Sequence, residues 1–215
     1  MRTILCYGDS NTWGYNPDGT GRYPKDVRWT TVLQKNLGKN YDIIPEGLNG
    51  RTTVWDDPVK GEHRNGKKYL MPCLQSHKPI DLVVLFLGSN DLKHRFSVEA
   101  YEIAQSVEML VNITKKSETG PNMESPEILV IIPPSVLIPP EVKNIPYLIP
   151  KAEEVVEKSE RFSEEFTKVL SNQCYLLDSS KLIRSSEIDG IHLDVESHKI
   201  LGEEVAKFIK NNIFK

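Results

Sequence analysis

Three side chains in this sequence have the types needed for a proton relay. Ser10 lies in YGDSNTWG (7–14), and Asp189 and His192 lie together in DGIHLD (189–194). At neutral pH a serine hydroxyl attacks a carbonyl only if a base within hydrogen-bond reach takes its proton. His192 can take that proton, and a carboxylate on its other ring nitrogen would fix the tautomer and stabilise the imidazolium. Asp189 precedes His192 by three residues with Gly190 between them, a spacing at which a turn folds the carboxylate back onto its own histidine. A tetrahedral intermediate then needs donors for its oxyanion. The backbone N–H of Ser10 is one candidate. Gly50, in EGLNGRTT (46–53), is a second, because a residue without Cβ lets the backbone approach a substrate closely. The side-chain amide of Asn90, in GSND (88–91), is a third.

Each block also has a plain structural explanation. Gly-Asp-Ser and Asn49-Gly50 are ordinary turn formers, GSND can end a strand, and DGIH can precede a helix. What joins them is their position along the chain. Short apolar runs alternate with segments of helical period. Strands are expected at 3–7 (TILCY), 41–45 (YDIIP), 81–88 (DLVVLFLG), 127–134 (EILVIIPP) and 174–178 (CYLLD). The third is apolar almost throughout, as a central parallel strand covered on both faces should be. A helix is expected over 27–37, closed by Gly38. Another follows Ser97 as cap, with Ala100, Ile103, Ala104, Val107, Leu110 and Val111 as its stripe. A long helix over 152–169 carries Val155, Val156, Phe162, Phe166 and Val169, and Asp194 caps a last helix with Leu201, Val205, Phe208 and Ile209. This alternation predicts a three-layer α/β/α fold, with one parallel sheet of about five strands, in a single domain spanning 1–215. Ser10, Gly50, Asn90 and His192 then fall on the same edge of the sheet, beyond the carboxyl ends of the strands, where such folds bind ligands. The segments 54–72 and 135–150 lack clear periodicity; they are candidate pocket walls or oligomer contacts.

The remaining polar residues fit the relay less well. His63, His77 and His94 lie in polar segments, and His198, one turn into the last helix, reads as a surface residue. Asn11, Trp13, Trp55, Leu92 and Ile191 are close to the blocks in sequence and could line a small apolar acyl pocket; the tryptophans could equally be packing residues. Arg51 could hold a substrate carboxylate or tie loops together through Asp56 or Asp57.

Composition excludes several classes. Hydrophobic residues at 39% and charged residues at 27% fit a globular protein, and a net charge of −3 provides no basic field for nucleic acid or an anionic membrane. No apolar run approaches the roughly 18 residues of a membrane helix. The amino-terminal apolar stretch is too short for a secretory signal, so a cytoplasmic protein is expected. Cys6, Cys73 and Cys174 are odd in number and far apart, which supports neither a disulfide framework nor a zinc site.

In order, GDSNT with Ser10, GLNGRTT with Gly50, GSND with Asn90 and DGIH with His192 resemble the four blocks of the SGNH hydrolase superfamily, the GDSL esterases. ILCYGDSNTWG, DVRWTTVLQ, EGLNGRTTVWDDP and DLVVLFLGSNDLK are similar to its bacterial aryl esterase/perhydrolase branch. The resemblance implies Ser10 as nucleophile, His192 as base and Asp189 as its orienter. It implies an oxyanion hole of Ser10 N–H, Gly50 N–H and Asn90. It also implies a flavodoxin-like strand order, a small-molecule ester substrate, no metal or organic cofactor, and assembly into an oligomer through loops near the site. One departure is Asn11, where the family name has leucine. The serine also lacks the second glycine of a G-x-S-x-G elbow, which argues against an α/β-hydrolase. The expected activity is hydrolysis of short-chain acyl esters through an acyl-enzyme. The alternatives on the same fold are a carbohydrate acetylesterase, a thioesterase or a lysophospholipase. Behind these stands a flavodoxin-like binding module without hydrolytic activity, which leaves Ser10, Gly50, Asn90 and His192 without a role.

Overall fold

Each strand sends successive side chains to opposite faces, so a run that is apolar throughout must be covered on both. In the computed structural model, which describes residues 1–139 and 151–214, the chain begins with β1 (Arg2–Gly8), α1 (Ser10–Trp13) and a small antiparallel ribbon of β2 (Tyr15–Asn16) and β3 (Gly21–Arg22). There follow α2 (Trp29–Leu37), β4 (Tyr41–Gly47), α3 (Gly66–His77), β5 (Leu82–Phe86) and α4 (Ala100–Lys115). The chain continues through β6 (Glu127–Ile132), α5 (Ala152–Glu160), α6 (Phe162–Leu170), β7 (Tyr175–Asp178) and α7 (Val195–Phe208). The five-stranded sheet has the order β4-β1-β5-β6-β7, every pair parallel. Taken in chain order, its strands run 2-1-3-4-5, the flavodoxin-like arrangement.

Successive strand residues face opposite sides. Leu5 and Tyr7 join one apolar cluster with Leu70, Leu74, Leu110 and Phe166, from α3, α4 and α6. Ile4 and Cys6 join a second with Trp29, Leu33, Leu201 and Val205, from α2 and α7. The fold therefore has three layers; both faces of the central strands β1, β5 and β6 are dry, while the edge strands β4 and β7 are only partly buried. Full burial of each such aliphatic or aromatic side chain contributes roughly 1.5–3 kcal/mol.

Several local expectations change. The helix after Ser97 begins at Ala100. Its cap is Glu99, whose side chain and that of Glu102 form a reciprocal capping box, while Ser97 sits in a left-handed turn at φ 50°. The long helix over 152–169 is two helices, α5 and α6. They meet at Arg161, where the backbone flattens to φ −80°, ψ −6°. The last strand before the proline pair stops at Ile132. Segment 54–72 is part loop and part α3, whose stripe of Leu70, Cys73 and Leu74 is short and whose interior contains Pro72. Of the segment 135–150, residues 140–150 lie outside the described residues. Among the described residues, no helix is long and apolar enough to cross a membrane.

Candidate active site

β1 has β4 on one side and β5 on the other, so the crevice beyond its carboxyl end is where the strand order reverses, the usual ligand position in open α/β sheets. α1 begins there, at Ser10. Asp9 caps α1 by accepting the Asn11 N–H at 2.9 Å. The short helix is pressed against the end of β4: a Cβ on Gly47 would lie 2.2 Å from Trp13 N and 2.7 Å from Thr12 C. Only a glycine at that strand end lets α1 sit so low.

The structure brings Ser10, His192 and Asp189 into one hydrogen-bonded chain. Ser10 Oγ lies 2.9 Å from His192 Nε2, and His192 Nδ1 lies 2.5 Å from Asp189 Oδ2. The second oxygen of Asp189 accepts the backbone N–H groups of Ile191 and His192, each at 3.0 Å. Burial alone would raise the Asp189 carboxyl, but the hydrogen bonds from the His192 ring and these amides outweigh it and hold it below the usual carboxylate range. A carboxylate on Nδ1 selects the tautomer with the proton there, leaving Nε2 to accept from the serine. The histidine is carried between two anchors: Ile191 packs into the cluster on one face of the sheet and Leu193 into the other. The Tyr15 ring lies over the imidazole at 4.3 Å.

Across the crevice, Asn90 sits in the turn that follows β5 and donates from Nδ2 to Asp9 Oδ2 at 3.2 Å. Asp9 is buried, and burial pushes its carboxyl up. Gly50 occupies the neighbouring turn at φ 76°. That turn is tied to the Asn90 turn by Asp91, which accepts both the N–H, at 3.1 Å, and the hydroxyl of Thr53. Burial pushes Asp91 up to about 7. Arg51 neither meets Asp56 or Asp57 nor reaches the crevice. It is buried, donates to the carbonyls of Gly8 (2.8 Å) and Glu46, and lies 4.0 Å over the Tyr7 ring, pinning the ends of β1 and β4 together.

A cavity of about 570 Å³ opens above these groups, with Ser10, Gly50, Asn90 and His192 in its lining. Its wall adds Tyr15, Asn49 and Val59, and the cations Lys60, Arg64, Lys93 and Arg95. None of the five residues expected to line an acyl pocket does so. Asn11 is buried and accepts the Leu193 N–H at 3.1 Å, tying the serine turn to the histidine loop. Leu92 and Ile191 are core residues, and Trp55 packs onto the same cluster. Trp13 stacks under the Arg22 guanidinium at 4.7 Å. Proximity in sequence misled here because a turn sends adjacent side chains to opposite sides. Residues 59–64 fall in the segment 54–72, whose missing periodicity marked it as a wall; Tyr15, Lys93 and Arg95 carried no such signal.

The other histidines lie apart. His63 and His94 are exposed, and His77 Nε2 lies 2.9 Å from Glu46 Oε1. His198 is fully buried, not a surface residue: its Nδ1 accepts the Trp29 N–H at 3.3 Å where α7 packs on α2. Among the described residues the one cluster of potential metal ligands is Glu46, Cys73 and His77, outside the cavity lining.

Comparison with known proteins gives this arrangement a family. Residues 6–200 match the model of the GDSL-like lipase/acylhydrolase family. The chain belongs to that family, the SGNH hydrolases, which makes it an ester-hydrolysing enzyme. Among solved structures it is similar to the native aryl esterase of M. smegmatis, at 34% identity over 98% of this chain and 99% of that one, with a TM-score of 0.89. It is equally similar to Est24, a carbohydrate acetylesterase from Sinorhizobium meliloti, at 35% identity over 98% and 99% of the two chains, with a TM-score of 0.89. No curated protein matches the sequence.

Proposed function

We propose that this enzyme is a serine esterase that cleaves short-chain carboxylic esters through an acyl-enzyme intermediate. The observation that carries the proposal is the chain Ser10 Oγ–His192 Nε2 and His192 Nδ1–Asp189, at 2.9 and 2.5 Å. Ser10 Oγ attacks the ester carbonyl while His192 Nε2 takes its proton, and Asp189 stabilises the imidazolium. The carbonyl electrons collect on an oxyanion facing the N–H groups of Ser10 and Gly50 and the amide of Asn90. The C–O bond then breaks, His192 returns the proton to the departing alcohol, and Ser10 is left acylated. Water, activated in turn by His192, releases the acid and restores the serine. An alcohol or peroxide in place of water would give acyl transfer or perhydrolysis.

Two observations support a short acyl group. Val59 is the one aliphatic side chain in the lining among the described residues, which is a poor wall for a long alkyl chain. Of the similar structures, Est24 is a carbohydrate acetylesterase, whose acyl group is acetyl. The test is hydrolysis of p-nitrophenyl acetate by the Ser10→Ala enzyme. Activity is expected to fall by about a thousandfold or more, with the circular dichroism spectrum unchanged. Survival of most of the activity would overturn Ser10 as the nucleophile.

A further inference from the structure

The wall of the cavity is strongly one-signed. Lys60, Arg64, Lys93 and Arg95 all line it, and among the described residues no carboxylate does. Behind the wall lies Asp57, whose side chain is fully buried. It lies 3.8 Å from Lys93 Nζ and 3.7 Å from Arg95 Nε, so one carboxylate is shared between two cations at long range. The same carboxylate holds the loop itself, accepting the N–H groups of Val59 and Lys60 at 2.9 and 3.0 Å. Among the described residues neither Lys60 nor Arg64 forms an ion pair.

Two of the cations stand beside the proposed oxyanion donors. A Cβ on Gly50 would lie 3.8 Å from both Arg64 Nε and Lys93 Nζ. The Arg64 guanidinium is held in place by donation to the Asn49 carbonyl. Its Nε–H is nonetheless buried with no partner, as is Oδ1 of Asn49 beside it. A planar guanidinium fixed on one side presents its remaining terminal N–H groups in a fork suited to a carboxylate.

We propose that the physiological substrate is an ester whose alcohol portion carries an anionic group, a carboxylate or an anion of similar shape, held by Arg64 with Lys60 and Arg95. The inference rests on the esterase reading above. A short acyl group has no charge of its own, so the charge that this wall selects must sit on the alcohol side. Arg64 supplies the directed hydrogen bonds, and Lys60 and Arg95 supply the field that draws the anion in.

The test compares 4-acetoxybenzoate with its neutral methyl ester, each enzymatic rate divided by the spontaneous rate to remove differences in leaving group. The wild-type enzyme is expected to favour the carboxylate in kcat/KM by about tenfold or more, an advantage that shrinks as sodium chloride rises. Arg64→Gln and Lys60→Glu are each expected to lower that ratio severalfold. The ratio is an internal measure, so partial loss of folded enzyme does not alter it. A wild-type ratio of one or below, or a ratio that neither substitution moves, overturns the inference and leaves the esterase reading standing. Hydrolysis of neither ester, with no labelling of Ser10 by a fluorophosphonate, overturns both.

Discussion

One carboxylate, that of Asp189, binds both the ring and the backbone of the same histidine: Oδ2 lies 2.5 Å from His192 Nδ1 while Oδ1 accepts the His192 N–H at 3.0 Å. The two jobs separate in Asp189→Asn, which keeps an oxygen for the backbone contact and loses the negative charge and tautomer selection at the ring. On the proposed mechanism, kcat should fall by about 10³–10⁴ while KM and the melting temperature change little. Steady-state kinetics with p-nitrophenyl acetate check this; a loss below tenfold would show that the carboxylate only shapes the turn.

Asn90 and Asp9 form a second pair. Asn90→Ala removes a proposed oxyanion donor and should lower kcat by about 10²–10³. Asp9→Asn keeps the cap on α1 but weakens the grip on the Asn90 amide, and a loss of roughly tenfold is expected. The combined variant should be no worse than Asn90→Ala alone, because Asp9 acts through Asn90. Additive losses would assign Asp9 a separate role.

Gly190 makes the bend between Asp189 and His192 possible. Its φ is +78°, and a Cβ there would lie 2.0 Å from the Leu137 carbonyl oxygen, in the segment whose N–H donates to the Gly190 carbonyl at 2.9 Å. Gly190→Ala should therefore cost about 2 kcal/mol or more, a fall of several degrees in melting temperature. It should also lower kcat, because the loop that displaces is the one carrying Asp189 and His192. Thermal unfolding and kinetics on the same preparation test both effects.

His198 should make stability depend on pH. Burial lowers its pKa from 6.5 to about 4, and its Nδ1 must stay deprotonated to accept the Trp29 N–H. Between those values the unfolded chain binds a proton that the folded chain refuses. The neutral-histidine contribution is thus complete above about pH 6.5 and is lost as pH falls toward 4, by up to about 3 kcal/mol. Asp91, raised from 3.8 to about 7, works with the opposite slope over much of this range. The measurement is therefore the difference in unfolding free energy between wild type and His198→Gln from pH 7 to pH 4. That difference should change steadily across the interval; a flat difference would contradict the neutral buried imidazole.

The sheet and the four polar turns were readable in advance because their signals are local. Apolar runs that are continuous rather than alternating mark strands covered on both faces, and a polar turn directly after such a run must lie at the sheet edge. His198 was misread for a related reason: helical periodicity reports one buried stripe, but α7 packs against α2 as well as the sheet, so its buried arc includes a polar position. The segment 54–72 was visible as a wall, but its partners Tyr15, Lys93 and Arg95 were not, because the wall is assembled from side chains on separate parts of the chain. Arg64 reaches Asn49 and Asp57 meets Lys93 only after the chain has folded. Asn11 was misplaced because its amide serves Leu193, a contact spanning 182 positions.

The close seat of α1 on Gly47 bears on how this enzyme could change over evolutionary time. The serine rides on backbone packed against backbone, where a single added methyl would collide with Trp13 and Thr12. The cationic wall of the cavity is built instead from side chains, several on an exposed loop at 59–64. Substitutions can accumulate on that loop without disturbing Ser10, while position 47 tolerates almost none. Such a division allows a lineage to exchange one class of ester for another by rewriting a few surface codons, with the reaction itself inherited intact.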